Sequence, residues 1–171
     1  MVDTLFQKKL IEEIEILISF GISNDWSFET HFKRRNPNLI IHGYDHSVSR
    51  RVFIRDTRNI ILNMVLLRFS FKKLFDSISR IFSYLTFFKG DVVHFEKRIH
   101  NYVYHSYDIT FDEVILKSQS KKIFLKVDIE GSEYRIIDSI MKYADRINGI
   151  AIEFHNADGL RPIFISAIKK L

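Results

Sequence analysis

Ile123-Phe-Leu-Lys-Val-Asp-Ile-Glu-Gly-Ser-Glu-Tyr134 carries an apolar strand into a cluster of carboxylates and then into a helix. Ile123, Phe124, Leu125 and Val127 have the composition of a short strand buried on both faces, Gly131 supplies the turn, and Ser132 with Glu133 suits a helix start. Asp128 and Glu130 therefore stand at a strand's carboxyl end, facing the crevice where an α/β enzyme keeps its ligand.

The same alternation of strand, turn and helix recurs on either side. Ile16 to Phe20 is a buried-type strand stopped by Gly21. A helix is expected from about Asp25 to Ser27, with Glu29 in its first turn, as far as Asn36-Pro37, where proline bars continuation. Leu39 to His42 returns as a strand closing at Asp45. Further along, Val92, Val93, Phe95 and Ile99 read as one extended segment, and Thr110 caps a short helix through Leu116. Tyr134 to Tyr143 reads as a helix burying Ile136, Ile137 and Ile140. Ile150 to Phe154 is the last strand, ending at His155, and a terminal helix follows from about Arg161. With an opening helix over residues 3–14, the order predicts a Rossmann-like, doubly wound and mostly parallel sheet with helices on both faces.

The 171 residues, 46% apolar, suffice for one domain with a substantial core, and residues 1–171 are read as that single domain. A net charge of +5 favours an anionic ligand, a membrane surface or nucleic acid without choosing among them. The absence of cysteine excludes disulfides, thiolate zinc sites and cysteine nucleophiles. Met1 to Glu15 mixes charges and apolar residues unlike a signal peptide, which reads as cytoplasmic. No uncharged stretch approaches the ~20 residues of a membrane-spanning helix. Residues 57–88 form a long, basic, Phe-, Ile- and Leu-rich helical insert. Three readings of it stay open: a core helix with a solvated face, a lid or acceptor-binding element, and a peripheral contact with an anionic membrane surface.

Gly21 to Glu29, Asp45 to Ser47, Asp128 to Glu133, and Glu153 with His155 all follow strands, so they should converge on one rim. There an acid ending the second strand can accept ribose hydroxyls, and a tight turn after the first strand lets backbone approach a ligand closely; Asp45 and Gly21 hold those places. These segments resemble the FkbM family of S-adenosylmethionine-dependent methyltransferases. Ile18-Ser-Phe-Gly-Ile-Ser-Asn-Asp-Trp-Ser-Phe-Glu29 is similar to its cofactor loop, Gly43-Tyr-Asp-His46 to its second-strand acid, Leu125-Lys-Val-Asp-Ile-Glu-Gly-Ser-Glu133 to its signature, and Ile152-Glu-Phe-His155 to its fifth strand. Asp108-Ile-Thr-Phe-Asp-Glu113 resembles the segment before the signature. The chain departs from the family in having Gly21 alone in its first loop, in its basic insert, and in stopping before a reverse hairpin.

The resemblance implies a class I methyltransferase fold and O-methylation of a carbohydrate or small-metabolite hydroxyl. It implies that Gly21, Asn24, Asp25, Asp45, Asp128 and Glu130 bind S-adenosylmethionine, with Trp26 either beside them or in the core. It also implies that Asp128 or His155 takes the acceptor's proton. Glu153 reads as structural. The seven histidines show no metal-ligand spacing, so no metal is expected. The rival readings are a non-catalytic binding protein that keeps the sheet and the rim, and a nucleic-acid binder using Lys33-Arg34-Arg35 and Arg50-Arg51, the less favoured of the two. A dinucleotide oxidoreductase is disfavoured because no Gly-x-Gly-x-x-Gly follows the first strand.

Overall fold

A computed structural model describes residues 9–48 and 71–171, with Arg55 and Arg58 between them. The elements run β1 (Ile16–Phe20), α1 (Ser27–Arg35), β2 (Ile40–Tyr44), α2 (Phe71–Phe87), β3 (Val92–Phe95), β4 (Arg98–Ile99), β5 (Asp108–Ile109), α3 (Phe111–Ser118), β6 (Ile123–Val127), α4 (Glu133–Lys142), a 3-10 turn at Ala144–Arg146, β7 (Ile147–Ile152) and α5 (Arg161–Lys170). Residues 9–13 are also helical. Five strands pair in the order β3-β2-β1-β6-β7, every pair parallel. The chain is thus α/β with a parallel sheet between helices, an arrangement compatible with a Rossmann-like fold.

Burial on both faces explains why the central strands are apolar runs instead of alternating ones. On β1, Ile16, Ile18 and Phe20 join Leu125 and Val127 of β6 and Ile136, Ile137 and Ile140 of α4 in one core. Leu17 and Phe124 point to the opposite face, against Phe32 of α1 and Ile11 and Ile14 of the first described turns. Successive connections carry the chain from β1 outward through β2 to β3, and then to β6 and β7 on the other side of β1. That reversal opens a crevice at the carboxyl ends of β1 and β6.

Local chemistry sets the helix starts. Thr110 accepts the backbone N–H of Glu113 while the Glu113 carboxylate accepts the N–H of Thr110, a complete capping box for α3. Ser132, at the N-cap of α4, makes no such bond with its side chain. Glu133 takes over there, its carboxylate accepting the N–H groups of Ile129 and Gly131.

Two expectations need correction. Val92 to Ile99 is two strands in two sheets, because the chain turns tightly after Phe95 and β4 pairs with β5 in a separate parallel ribbon. Asp108 pins that ribbon by accepting from Arg98 and from the N–H groups of Tyr104 and His105. The last strand spans Ile147–Ile152, so it starts earlier than Ile150 and leaves Glu153 and His155 beyond its end.

Of the basic insert, α2 is described, while residues 57 and 59–70 lie outside the described residues, as do residues 3–8 of the opening helix and Arg50-Arg51. Helix α2 buries Tyr84 against Trp26, Ile22 and Val48, whereas Phe75, Ile78, Phe82 and Leu85 are exposed. Among the described residues, no helix is long and apolar enough to cross a membrane.

Candidate functional site

A cavity of about 430 Å³ lies over the carboxyl ends of the central strands, within the size range of small-molecule sites. Gly21 and Ser23 follow β1; Tyr44, Asp45, His46 and Ser47 close β2; Asp128, Ile129, Glu130 and Ser132 follow β6; Glu153 and His155 follow β7; and Lys97, Arg98 and Ile99 come from the edge ribbon. Gly21, Asp45 and Asp128, remote in sequence, thus border one hollow, and Glu130 and His155 share it.

Gly21 has a φ of +78° and donates its N–H to Tyr44, while a Cβ there would collide with the carbonyl oxygen of Asp128. Only glycine fits both demands. The loop it starts then folds over Asp45, whose Oδ2 accepts the N–H of Ser23 at 2.7 Å. Oδ1 of the same carboxylate accepts the N–H of Ser47 at 2.7 Å and its hydroxyl at 2.6 Å. Burial pushes the Asp45 carboxyl up, but these hydrogen bonds and nearby His94 outweigh it, so its pKa is lowered overall. Three of roughly four acceptor positions on the carboxylate are occupied.

Beneath the loop, Ser19 of β1 and Lys126 of β6 sit side by side in the sheet register and meet Glu29 of α1. The Ser19 hydroxyl donates to Glu29 Oε1, and the Lys126 ammonium donates to the Gly21 carbonyl at 3.0 Å and lies 3.5 Å from the same glutamate oxygen. It also lies 4.0 Å from Asp128 Oδ2. Glu29 Oε2 is buried and, among the described residues, has no hydrogen-bond partner. This polar trio couples the Gly21 loop to the Asp128 strand end.

At the β7 side, Nδ1 of His155 lies 2.8 Å from Oε1 of the fully buried Glu133, and the Tyr134 hydroxyl donates to the His155 carbonyl. The Glu133 hydrogen bond is the main influence raising the His155 pKa; burial opposes it, and the charges of Glu133, Asp128 and Glu153 add to it. Nε2 turns toward Asp128. Glu130 is exposed, with a φ of +47° next to Gly131 at +95°, a pair of left-handed residues that folds the turn back toward Glu133.

Asn24 and Asp25 do not join this cavity. They line a separate hollow of about 580 Å³ between α1 and α2, with Arg34 and Arg80. The cause is local: Asp25 Oδ1 accepts the N–H of Ser27, turning both residues away over the start of α1. Trp26 is buried between Tyr84 and Phe88, its indole N–H donating to Ser83. It belongs to the core. Glu133 and Lys126 escaped the site prediction because a helix-start glutamate and a strand lysine have ordinary uses; only their neighbours across the sheet give them this one.

A scan against protein-family models finds none that matches, and searches of curated proteins and of solved structures return no match.

Proposed function

We propose that the chain is an S-adenosylmethionine-dependent methyltransferase acting on a hydroxyl of a carbohydrate or other small metabolite. The observation that carries this reading is the gathering of Gly21, Asp45 and Asp128 around one cavity at the reversal of the sheet. The likeness of Lys126 to Glu133 to the FkbM signature supports it. The donor set fits the cofactor: four carboxylates, Asp45, Asp128, Glu130 and Glu153, line the cavity against two cations, Arg98 paired to Asp108 and Lys97 donating to the Ser106 carbonyl, which suits a cationic ligand. When bound, the sulfonium supplies a methyl group already activated for transfer.

The chain's own residues then have defined tasks. The fourth acceptor position of Asp45 takes one ribose hydroxyl, and binding both requires the Ser47 hydroxyl to swing away. Lys126 holds the Gly21 carbonyl, so that Gly21 keeps its backbone against Asp128 and closes the floor. Asp128 stands where a carboxylate favours a positive centre, and either it or His155 takes the proton of the acceptor hydroxyl. Aligning that oxygen in line contributes much of the rate.

A thermal-shift experiment tests the reading. S-adenosylmethionine or S-adenosylhomocysteine at a hundredfold excess over its Kd should stabilise the protein by about 2.7 kcal/mol, which is roughly 5–10 °C for a chain of this size. Asp45→Ala should abolish the response. No shift of the wild type with either compound at millimolar concentration defeats the proposal. An intact fold with no shift instead favours a non-catalytic binding protein, a reading motivated by the single loop glycine and by an Asp45 carboxylate already engaged by Ser23 and Ser47.

A further inference from the structure

Three groups at the β6–β7 side of the cavity converge in a manner that the transfer reading does not require. A carboxylate oxygen of Asp128, one of Glu153 and a ring nitrogen of His155 all lie within 4.8 Å of one another. Glu133 engages Nδ1 of His155, so in the neutral ring the proton sits on Nδ1 and the lone pair on Nε2. Nε2 stands 3.7 Å from Asp128 Oδ1 and 4.0 Å from Glu153 Oε1, beyond hydrogen-bonding reach of either. With the ring neutral all three are electron-pair donors, an arrangement relieved either by a proton on Nε2 or by a bound cation.

Glu133 supplies an independent observation. It lies outside the trio, is fully buried, and is itself fixed by the N–H groups of Ile129 and Gly131. A buried carboxylate on the far nitrogen of an imidazole is how proteins orient a metal-ligating histidine and raise its basicity.

We propose that Asp128, Glu153 and His155 form a divalent-cation site, with Glu133 setting the imidazole tautomer. Ligand atoms about 2.0–2.2 Å from an ion ask the three groups to close slightly, which the 70% exposed Glu153 side chain is free to do. Lys126 faces the other oxygen of Asp128 and is shared with Glu29, so it leaves Oδ1 available. One nitrogen and two oxygens suit Mn²⁺ or Zn²⁺ better than Ca²⁺. Three protein ligands leave the cavity side open, where a bound ion would orient and acidify a hydroxyl. Spacing along the chain cannot show the site, because its ligands meet only where β6 and β7 lie side by side.

The inference does not rest on the methyltransferase reading, and its test omits S-adenosylmethionine. The full chain, treated with EDTA and dialysed, is titrated calorimetrically with MnCl₂ and separately with ZnCl₂. One saturable site per chain is expected, weakened about tenfold or more by Glu153→Gln and likewise by His155→Gln, with unchanged circular dichroism. If His155→Gln does not fold, the exposed Glu153→Gln decides alone. No saturable binding of either ion up to about 1 mM, or binding that Glu153→Gln leaves unchanged, overturns the proposal.

Discussion

Replacing Glu133 by alanine removes one carboxylate from three partners at once: the N–H groups of Ile129 and Gly131, and Nδ1 of His155. Each such hydrogen bond contributes about 1 kcal/mol net, and an acid in the first turn of a helix adds about 0.3–1 kcal/mol. The expected loss is about 3–4 kcal/mol, or a fall in Tm of roughly 6–16 °C for a chain of this length, measured by urea denaturation and thermal melts. Glu133→Gln should fall between, because its single carbonyl oxygen can replace Oε1 while its NH₂ then faces the N–H of Gly131, donor against donor. The pH dependence adds a second readout. Glu133 chiefly raises the folded-state pKa of His155 above 6.5, so the pair's stabilisation is full below the unfolded value and fades as pH rises through the folded one. The gap between wild type and Glu133→Ala should therefore be widest below about pH 6.5 and narrow above the folded pKa, while NMR shows the His155 pKa falling in Glu133→Gln. A loss under about 0.5 kcal/mol, or a His155 titration unmoved by Glu133→Gln, would refute this account of the turn.

Gly21→Ala should cost more than about 2 kcal/mol, because left-handed strain adds to a clash with the Asp128 backbone. Gly131→Ala, also left-handed but open around its Cβ, should show the strain alone. Lys126→Met leaves the buried Glu29 without its cation and should destabilise by about 3 kcal/mol; Lys126→Met with Glu29→Gln should lose less than the two single changes together, a coupling read by a double-mutant cycle. Burial raises the Asp108 pKa, but Arg98 and the N–H groups of His105 and Tyr104 prevail and hold it at about 2. Its contribution should therefore be full above about pH 4 and lost as pH falls toward 2, so Asp108→Asn and wild type should differ in urea midpoint near neutrality and converge in acid.

The strands and caps were legible because their causes are local. Ile16 to Phe20 and Ile123 to Val127 are uninterrupted apolar runs, Pro37 closes α1, and Thr110 with Glu113 carries its capping box within four residues. The rim was legible for Gly21, Asp45, Asp128, Glu130 and His155, since each follows a strand and parallel strands place their ends together. Asn24 and Asp25 lie in the neighbouring hollow instead, where a short Asx turn made by one hydrogen bond to Ser27 directs them away from the strand end before them. The division of Val92–Ile99 escaped for a similar reason: nothing in that run shows that Asp108 will draw Arg98 into a second ribbon.

What the residue order determined by itself is the central strands with the helices between them, the parallel sheet they imply, and the acids at its strand ends. Tertiary structure alone decided the company those acids keep. The register that sets Ser19 beside Lys126 delivers both to Glu29, and the register that sets Val127 beside Ile152 brings Asp128 within reach of Glu153 and His155. Periodicity and capping act over a few neighbours along the chain, whereas charge and hydrogen bonding act through space, and only the packed sheet fixes which side chains share that space.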